Sequence, residues 1–456
     1  MISTRKNRSE SMETASTVRK EEKPVRKNLA PGLKKRMKRS KFPLSGINER
    51  THMELEIYPS VFQAETLMEN NPETTVLFGP DALTQLGIHF QMEHCETILL
   101  VMGGNSSQIP LRMILRSPAF GKPDFNLPRH EGVPPEPDTD DVRRIVESMK
   151  RENPSAVLAV GGGSVMDAAK AAYLSWQTGL DVEELFGVNA ATSRFPGKIF
   201  RKICAIPTTA GTGSEVTCYS NIVDAESGVK KLISDPAILP EIAAVIPELT
   251  LSAPEKLTRE TGFDALVHAI ESHLNFKAMQ QHPEAEEWSL EAIRLIEKAL
   301  PEALHNPTDS DARACLSAAA TLAGMAIRVA PTSLPHLLSY SFCGKTSHGY
   351  AVAALLPHFW RYYLAVPEVR ERTMALKAFF PGKNAEEVID SFCAFLHRCG
   401  GETAPGKLAG CGTEMIDRLA KDALLNPMKL ESAPRPVLPK DTETVFHEVL
   451  DPVWNA

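Results

Sequence analysis

Two apolar runs of strand length break directly into glycine turns, and this repeated junction constrains the fold more than any other feature. Ala156-Val157-Leu158-Ala159-Val160 runs into Gly161-Gly162-Gly163-Ser164 and then a helical pattern through Ala172. Ile203-Cys204-Ala205-Ile206-Pro207 runs into Thr208-Thr209-Ala210-Gly211-Thr212-Gly213-Ser214. Runs without polar alternation are strands buried on both faces, and such strands belong to parallel sheets covered by helices. Residues 97–102, ending at Gly103-Gly104, repeat the pattern, and residues 75–78 before Gly79-Pro80 give another strand and turn. Residues 81–87 and 140–151 have helical periodicity, whereas the Pro- and Gly-rich stretch 121–137 reads as loop. Beyond Pro247 strand signals stop, and 254–275, 284–303, 311–329 and 417–425 read as helices. The expected architecture is an α/β amino-terminal domain with a parallel, Rossmann-like sheet over 53–247, followed by an all-α domain over 248–456. A ligand cleft between them is the usual consequence.

The chain has 456 residues, 43% hydrophobic and 23% charged, which is ordinary globular composition. No stretch approaches the 18 consecutive apolar residues of a bilayer span. The polar start lacks the apolar core of a secretory signal, and eight cysteines stand singly from Cys95 to Cys411 without a CxxC pair. A reduced, cytoplasmic chain is expected. The net charge of −7 hides a split: residues 1–41 carry +10 and the remainder −17. An acidic body argues against nucleic acid as a partner. Residues 1–52 read as a disordered basic tail, with an address or contact arm as the other reading of Lys34-Lys35-Arg36-Met37-Lys38-Arg39.

Each turn offers bare backbone amides where a strand meets a helix N-terminus, a place suited to a pyrophosphate. The GxGxxG fingerprint is not met, because Met166 holds the third glycine position. Two such turns on one parallel sheet nevertheless fit a dinucleotide above the strand ends. Asp264 and His268 are four apart on a predicted helix, so both side chains face one way. The pair is either an ordinary helix contact or half of a metal site, to which His336 and His348 are candidates to add. One carboxylate and three imidazoles suit Fe²⁺ or Zn²⁺.

Taken in order, Gly161-Gly-Gly-Ser164-Val-Met-Asp167-Ala-Ala-Lys170, Pro207-Thr-Thr-Ala-Gly-Thr-Gly-Ser-Glu-Val-Thr217, Gly262-Phe-Asp264-Ala-Leu-Val-His268-Ala-Ile-Glu271 and His348-Gly with Leu355-Leu-Pro357 resemble the iron-dependent (group III) alcohol dehydrogenase family. The likeness runs from about Tyr58 to the end and includes Asn426-Pro427 and Pro434-Arg-Pro436. It implies a dehydroquinate synthase-like architecture, NAD or NADP, Fe²⁺ with Zn²⁺ second, a small alcohol or aldehyde substrate, no membrane and a homodimer. It implies cofactor contacts at Gly161, Gly162, Gly163, Ser164, Asp167, Thr208, Thr209, Thr212, Ser214 and Lys230, with metal ligands Asp264, His268, His336 and His348. Lys170 reads as structural. Family members usually carry His-x3-His where this chain has His336 and Tyr340, so Tyr340 is the candidate proton relay, although an unperturbed tyrosine pKa of roughly 10 makes it a poor partner at neutral pH. The loop from His336 to His348 is about two residues short for the family, and branches acting on semialdehydes or phosphonoacetaldehyde resemble it in carrying Ser-Tyr here. Lys345 in that loop is either a partner for an anionic substrate tail or a solvated surface lysine. Gly103 stands where NAD-using relatives place an aspartate, so a 2′-phosphate meets no repulsion there and NADP is allowed. A dehydroquinate synthase-like cyclase is the alternative enzyme, and a tail-borne tether to an anionic partner the non-enzymatic one.

Overall fold

Successive side chains of a strand point to opposite faces. In β2 (Ile98–Gly103) this sends Ile98, Leu100 and Met102 one way, and Leu99 and Val101 the other. Both faces are apolar, so both must be covered. The first packs on helices α1 (Ala82–Met92) and α2 (Gln108–Arg116), the second on α3 (Thr139–Glu152) and α4 (Gly163–Thr178). The computed structural model describes residues 58–104, 108–120 and 125–456; the basic tail expected over 1–52 lies outside them.

Around β2 the sheet adds β1 (Thr75–Phe78), β3 (Arg129–Val133), β4 (Ala156–Gly161), β6 (Lys202–Pro207) and β9 (Ile242–Val245), in the order β1-β9-β6-β4-β2-β3. Every pairing is parallel. From β2 the chain steps outward to β3, then returns to β4 and proceeds the other way through β6 to β9. The reversal lies between β2 and β4, and ligands of such sheets bind outside the strand carboxyl ends at that point. β3 corrects the loop expected over 121–137. It is an edge strand paired only with β2, so Arg129, Glu131 and Gly132 are exposed and its sequence lacks the apolar signature of the inner strands. A smaller sheet joins β5 (Gly187–Val188), β7 (Tyr219–Val223) and β8 (Lys230–Ser234), with β7 and β8 antiparallel.

Beyond β9 the described chain is helical. Helices α5 (Glu255–Leu274), α6 (Glu284–His305) and α7 (Ser310–Val329) share one core with Val76 of β1 and with Ala243 and Val245 of β9. Helix α7 is long and apolar enough to cross a membrane, but 89% of its apolar window is buried in this core. The α/β and helical parts meet backbone to backbone. A Cβ added at Gly324 of α7 would lie 2.7 Å from Cα of Gly213, itself at φ +62°. Only two glycines allow that approach.

One buried and one half-buried histidine make this helical core acid-sensitive. His273 Nε2 donates to the Arg372 carbonyl at 3.0 Å and His358 Nε2 to that of Thr403 at 2.7 Å, while Nδ1 of His273 has no partner. Burial pushes each pKa from 6.5 down to about 4. The unfolded chain therefore takes up these protons first as pH falls. Stability is fully present above about pH 6.5 and is lost toward pH 4, by at most roughly 3 kcal/mol per residue. We expect the denaturant midpoint to fall between pH 7 and 5, and His358→Gln to flatten that slope; parallel pH profiles for variant and parent would refute the assignment.

Candidate functional site

Asp264, His268 and Glu271 lie at positions i, i+4 and i+7 of α5, on one face of the helix. Helix α8 (Leu334–Ser339) brings His336 to that face, and α9 (His348–Tyr363) begins with His348. Three imidazoles close on a single carboxylate oxygen. From Asp264 Oδ1 the distances are 3.3 Å to His348 Nε2, 3.5 Å to His336 Nε2 and 3.7 Å to His268 Nε2. The donor atoms of Asp264, His336 and His348 all lie within 4.8 Å of one another, and the His268 ring stacks on that of His336 at 4.4 Å between centroids.

None of these approaches satisfies the buried atoms: Asp264 Oδ1 and His336 Nε2 have no hydrogen-bond partner. An unpartnered buried carboxylate oxygen is costly, and facing it with bare imidazole nitrogens makes sense when a cation belongs among them. Donors sharing one ion at about 2.1 Å sit roughly 3–3.5 Å apart, close to the spacings seen. The donor set fits a divalent metal.

The surroundings fix which nitrogens are free. Glu271 Oε2 accepts from His336 Nδ1, and its Oε1 accepts from Ser333 N and Oγ, each at 2.8 Å. Ser339 Oγ donates to the His336 carbonyl at 2.7 Å, so toward His348 Nδ1, 3.1 Å away, it can only accept. Both histidines thus carry their proton on Nδ1 and turn an Nε2 lone pair inward. Burial pushes Asp264 up, but the neighbouring imidazoles bring it well below the carboxylate range. Burial lowers His268 to about 3, leaving it neutral. Burial also lowers His336, but Glu271 and Asp264 together more than reverse this and raise it. His348 is one-third exposed and the other three ligand candidates are buried, so the cluster opens at His348.

The glycine turns meet this cluster. The carboxyl ends of β2, β4 and β6, neighbours in the sheet, carry Gly103-Gly104, Gly161–Gly163 and Thr208–Ser214. Gly162 caps α4 without any side-chain cap, so the first N–H groups of a 16-residue helix stay open to a ligand. The missing Cβ atoms also serve packing: one on Gly163 would lie 2.5 Å from Thr212 Cγ2, and one on Gly162 3.1 Å from Thr209 Oγ1. On the other side, Gly211 presses on Thr261, one helical turn before Asp264, where a Cβ would come within 2.7 Å.

Asp167 and Ser214, expected at the cofactor, are engaged with each other at 2.8 Å, and Asp167 Oδ2 also accepts from Asn221 N at 2.9 Å. Lys170 is buried and donates to Ser214 Oγ, Thr217 O and Tyr219 O, the structural role expected of it. Ser164 Oγ accepts from Glu136 N at 3.3 Å, and Lys230 pairs with Glu136 Oε1 at 3.0 Å, which sets Lys230 near the glycine turn. Tyr340 lies parallel to the His348 ring, 6.3 Å between centroids, and its hydroxyl donates to Asn221 Oδ1 at 3.3 Å. One tyrosine and one asparagine thus link the cluster to Asp167 of α4. Glu271, not among the residues expected at the site, has a readable signal in its i+7 spacing from Asp264; Ser339, Asn221 and Glu136 carry no comparable signal.

A metal centre in a helical domain beside a dinucleotide crevice defines a class of nicotinamide-linked metal enzymes, and the comparisons specify it. The sequence model of iron-containing alcohol dehydrogenase matches residues 72–247, and that of the Fe-containing alcohol dehydrogenase family, C-terminal, matches 258–450. The chain belongs to the iron-containing alcohol dehydrogenase family. It is similar to NAD-dependent methanol dehydrogenase of Bacillus methanolicus, 36% identical over 50% of this chain and 59% of that protein. It is also similar to 1,3-propanediol dehydrogenase of Citrobacter freundii, 32% identical over 68% of this chain and 78% of the relative. The solved alcohol dehydrogenase of Oenococcus oeni matches with a TM-score of 0.72 and 25% identity, over 82% of this chain and 97% of that one.

Glu271→Gln tests the metal reading without turnover. It keeps the shape but weakens the acceptor that orients His336, and we expect affinity for Fe²⁺ or Co²⁺, measured by titration, to fall about 10–100-fold. Unchanged affinity would remove Glu271 from the site.

Proposed function

We propose that this chain is an NAD(P)-linked, metal-dependent alcohol dehydrogenase that exchanges hydride between nicotinamide and a small primary alcohol or aldehyde. The observation that carries the reading is the convergence of three imidazoles on Asp264 Oδ1, next to strand-end turns built for a dinucleotide. When bound, a divalent ion, Fe²⁺ before Zn²⁺, supplies a Lewis acid for the substrate oxygen, and NAD or NADP supplies or takes the hydride.

The chain's own residues do the rest. Asp264 contributes the one anionic ligand, while Glu271 and Ser339 hold Nδ1 of His336 and His348 so that each Nε2 faces inward. The open N-terminus at Gly161, Gly162, Gly163 and Ser164 receives the pyrophosphate. Thr208, Thr209 and Thr212 line the nicotinamide half, with Asp167 and Ser214 bracing the turn and Lys230 at its edge. A Cβ added at Gly104 meets nothing within 4 Å, and neither Gly103 nor Gly104 offers a carboxylate to repel a 2′-phosphate. Burial raises the Tyr340 pKa further, so its hydroxyl keeps its proton at neutral pH and acts as a donor. We read residues 53–247 as the cofactor half and 248–456 as the metal half of a cytoplasmic homodimer. The substrate class includes semialdehydes and phosphonoacetaldehyde.

Anaerobic, Fe²⁺-loaded protein should oxidise NADH or NADPH with short aldehydes, and chelation should abolish this. His268→Ala should lower kcat/KM at least 100-fold; a fully active variant would count against the scheme. Phosphate release from a sugar-acid phosphate, without net change in nicotinamide, would favour the cyclase reading instead.

A further inference from the structure

Among the described residues two lysine ammonium groups lie where burial lowers their pKa, Lys170 fully buried and Lys429 half-buried, and they are treated differently. Around Lys170 Nζ stand the hydroxyl of Ser214 at 2.8 Å and the carbonyls of Thr217 at 2.8 Å and Tyr219 at 3.1 Å, with the carboxylate of Asp167 nearby. Its three N–H groups are all used. Lys429 Nζ has one hydrogen-bond acceptor among the described residues, Thr332 Oγ1 at 2.9 Å. The acidic group that acts on it is Glu271, whose oxygens are already taken by Ser333 and His336. Burial lowers the Lys429 pKa to about 8, as expected of a cation lacking a counterion. Packing alone would be served as well by an uncharged side chain of similar length.

Its place gives the unused donors a purpose. Thr332 directly precedes Ser333, the residue bonded to Glu271, and Lys429 Nζ sits over the Tyr340 ring, 6.0 Å from its centroid. Tyr340 in turn stacks on His348, where the cluster opens. Lys345, the other candidate for an anionic tail, is exposed. We infer that Lys429 is a specificity-determining residue: its ammonium receives an anionic group carried by the aldehyde at the carbon remote from the carbonyl. This rests on the dehydrogenase reading above and narrows its substrate to aldehydes bearing a carboxylate or phosphonate.

The test compares kcat/KM for 4-oxobutanoate, phosphonoacetaldehyde and butanal in the Fe²⁺-loaded full chain, Lys429→Met and Lys429→Arg. We expect the parent to favour one anionic aldehyde over butanal at least tenfold, Lys429→Met to lose most of that ratio through KM, and Lys429→Arg to retain it. The two anions separate a carboxylate site from a phosphonate site. A parent that favours butanal, or a Lys429→Met ratio equal to the parent's, overturns the inference. Calorimetric titration of the NAD⁺-loaded protein with succinate and with methylphosphonate needs no turnover. Binding of either ion weakened tenfold or more in Lys429→Met supports the inference; equal binding, or none to the parent, overturns it. If no aldehyde is reduced by any variant, the dehydrogenase reading fails, and the titration still decides what Lys429 holds.

Discussion

A single buried oxygen, Asp264 Oδ1, sets the requirements for everything around it. A carboxylate in the interior must meet positive charge or hydrogen-bond donors. Here it meets three imidazole nitrogens at 3.3–3.7 Å, two of them on rings whose Nδ1 is held by a partner on the far side. Such an arrangement is poor as a protein contact and good as a ligand set. Glu271 and the serines 333 and 339 are needed because an imidazole free to choose its tautomer would protonate toward Asp264 and close the site with an ordinary hydrogen bond.

The cluster gains a redox role only if it stays in register with the strand-end turns, and that register is held by missing side chains. Gly213 against Gly324, Gly211 against Thr261 and Gly349 against the Glu260 carbonyl are approaches too close for a Cβ. The first two press the threonine turn onto helices α7 and α5; the third presses the start of α9, with His348, onto α5. Contacts through long side chains would let the helices slide; backbone contact at three points does not.

What the sequence made legible follows from burial. The inner strands β2, β4 and β6 face apolar neighbours on both sides, so their text is unbroken by polar residues. Edge strand β3 and hairpin β7–β8 are half-exposed, and their mixed composition resembles loop. Asp264 and His268 are readable because one helix sets their spacing, whereas His336 and His348 join them through tertiary packing and needed the family pattern to be linked. Ser339, Asn221 and Lys429 are ordinary residue types whose meaning comes from a partner far along the chain. The glycines of the turn were legible as room for a ligand, but their use against Thr209 and Thr212 was not.

Tyr340 shows how one residue bears on the direction of the proposed chemistry. A histidine in its place would exchange protons readily near neutrality. The tyrosine hydroxyl is held higher by burial and hydrogen-bonds to Asn221 Oδ1, an amide oxygen that accepts a hydrogen bond but passes no proton on. A group that keeps its proton can donate to a developing alkoxide, yet removes one from an alcohol poorly. Together with an ammonium over the same ring that has no carboxylate within ion-pair distance among the described residues, this gives the pocket a supply of donors and few bases. Such a pocket suits aldehyde reduction better than alcohol oxidation at neutral pH, and the opposite direction should gain as pH rises.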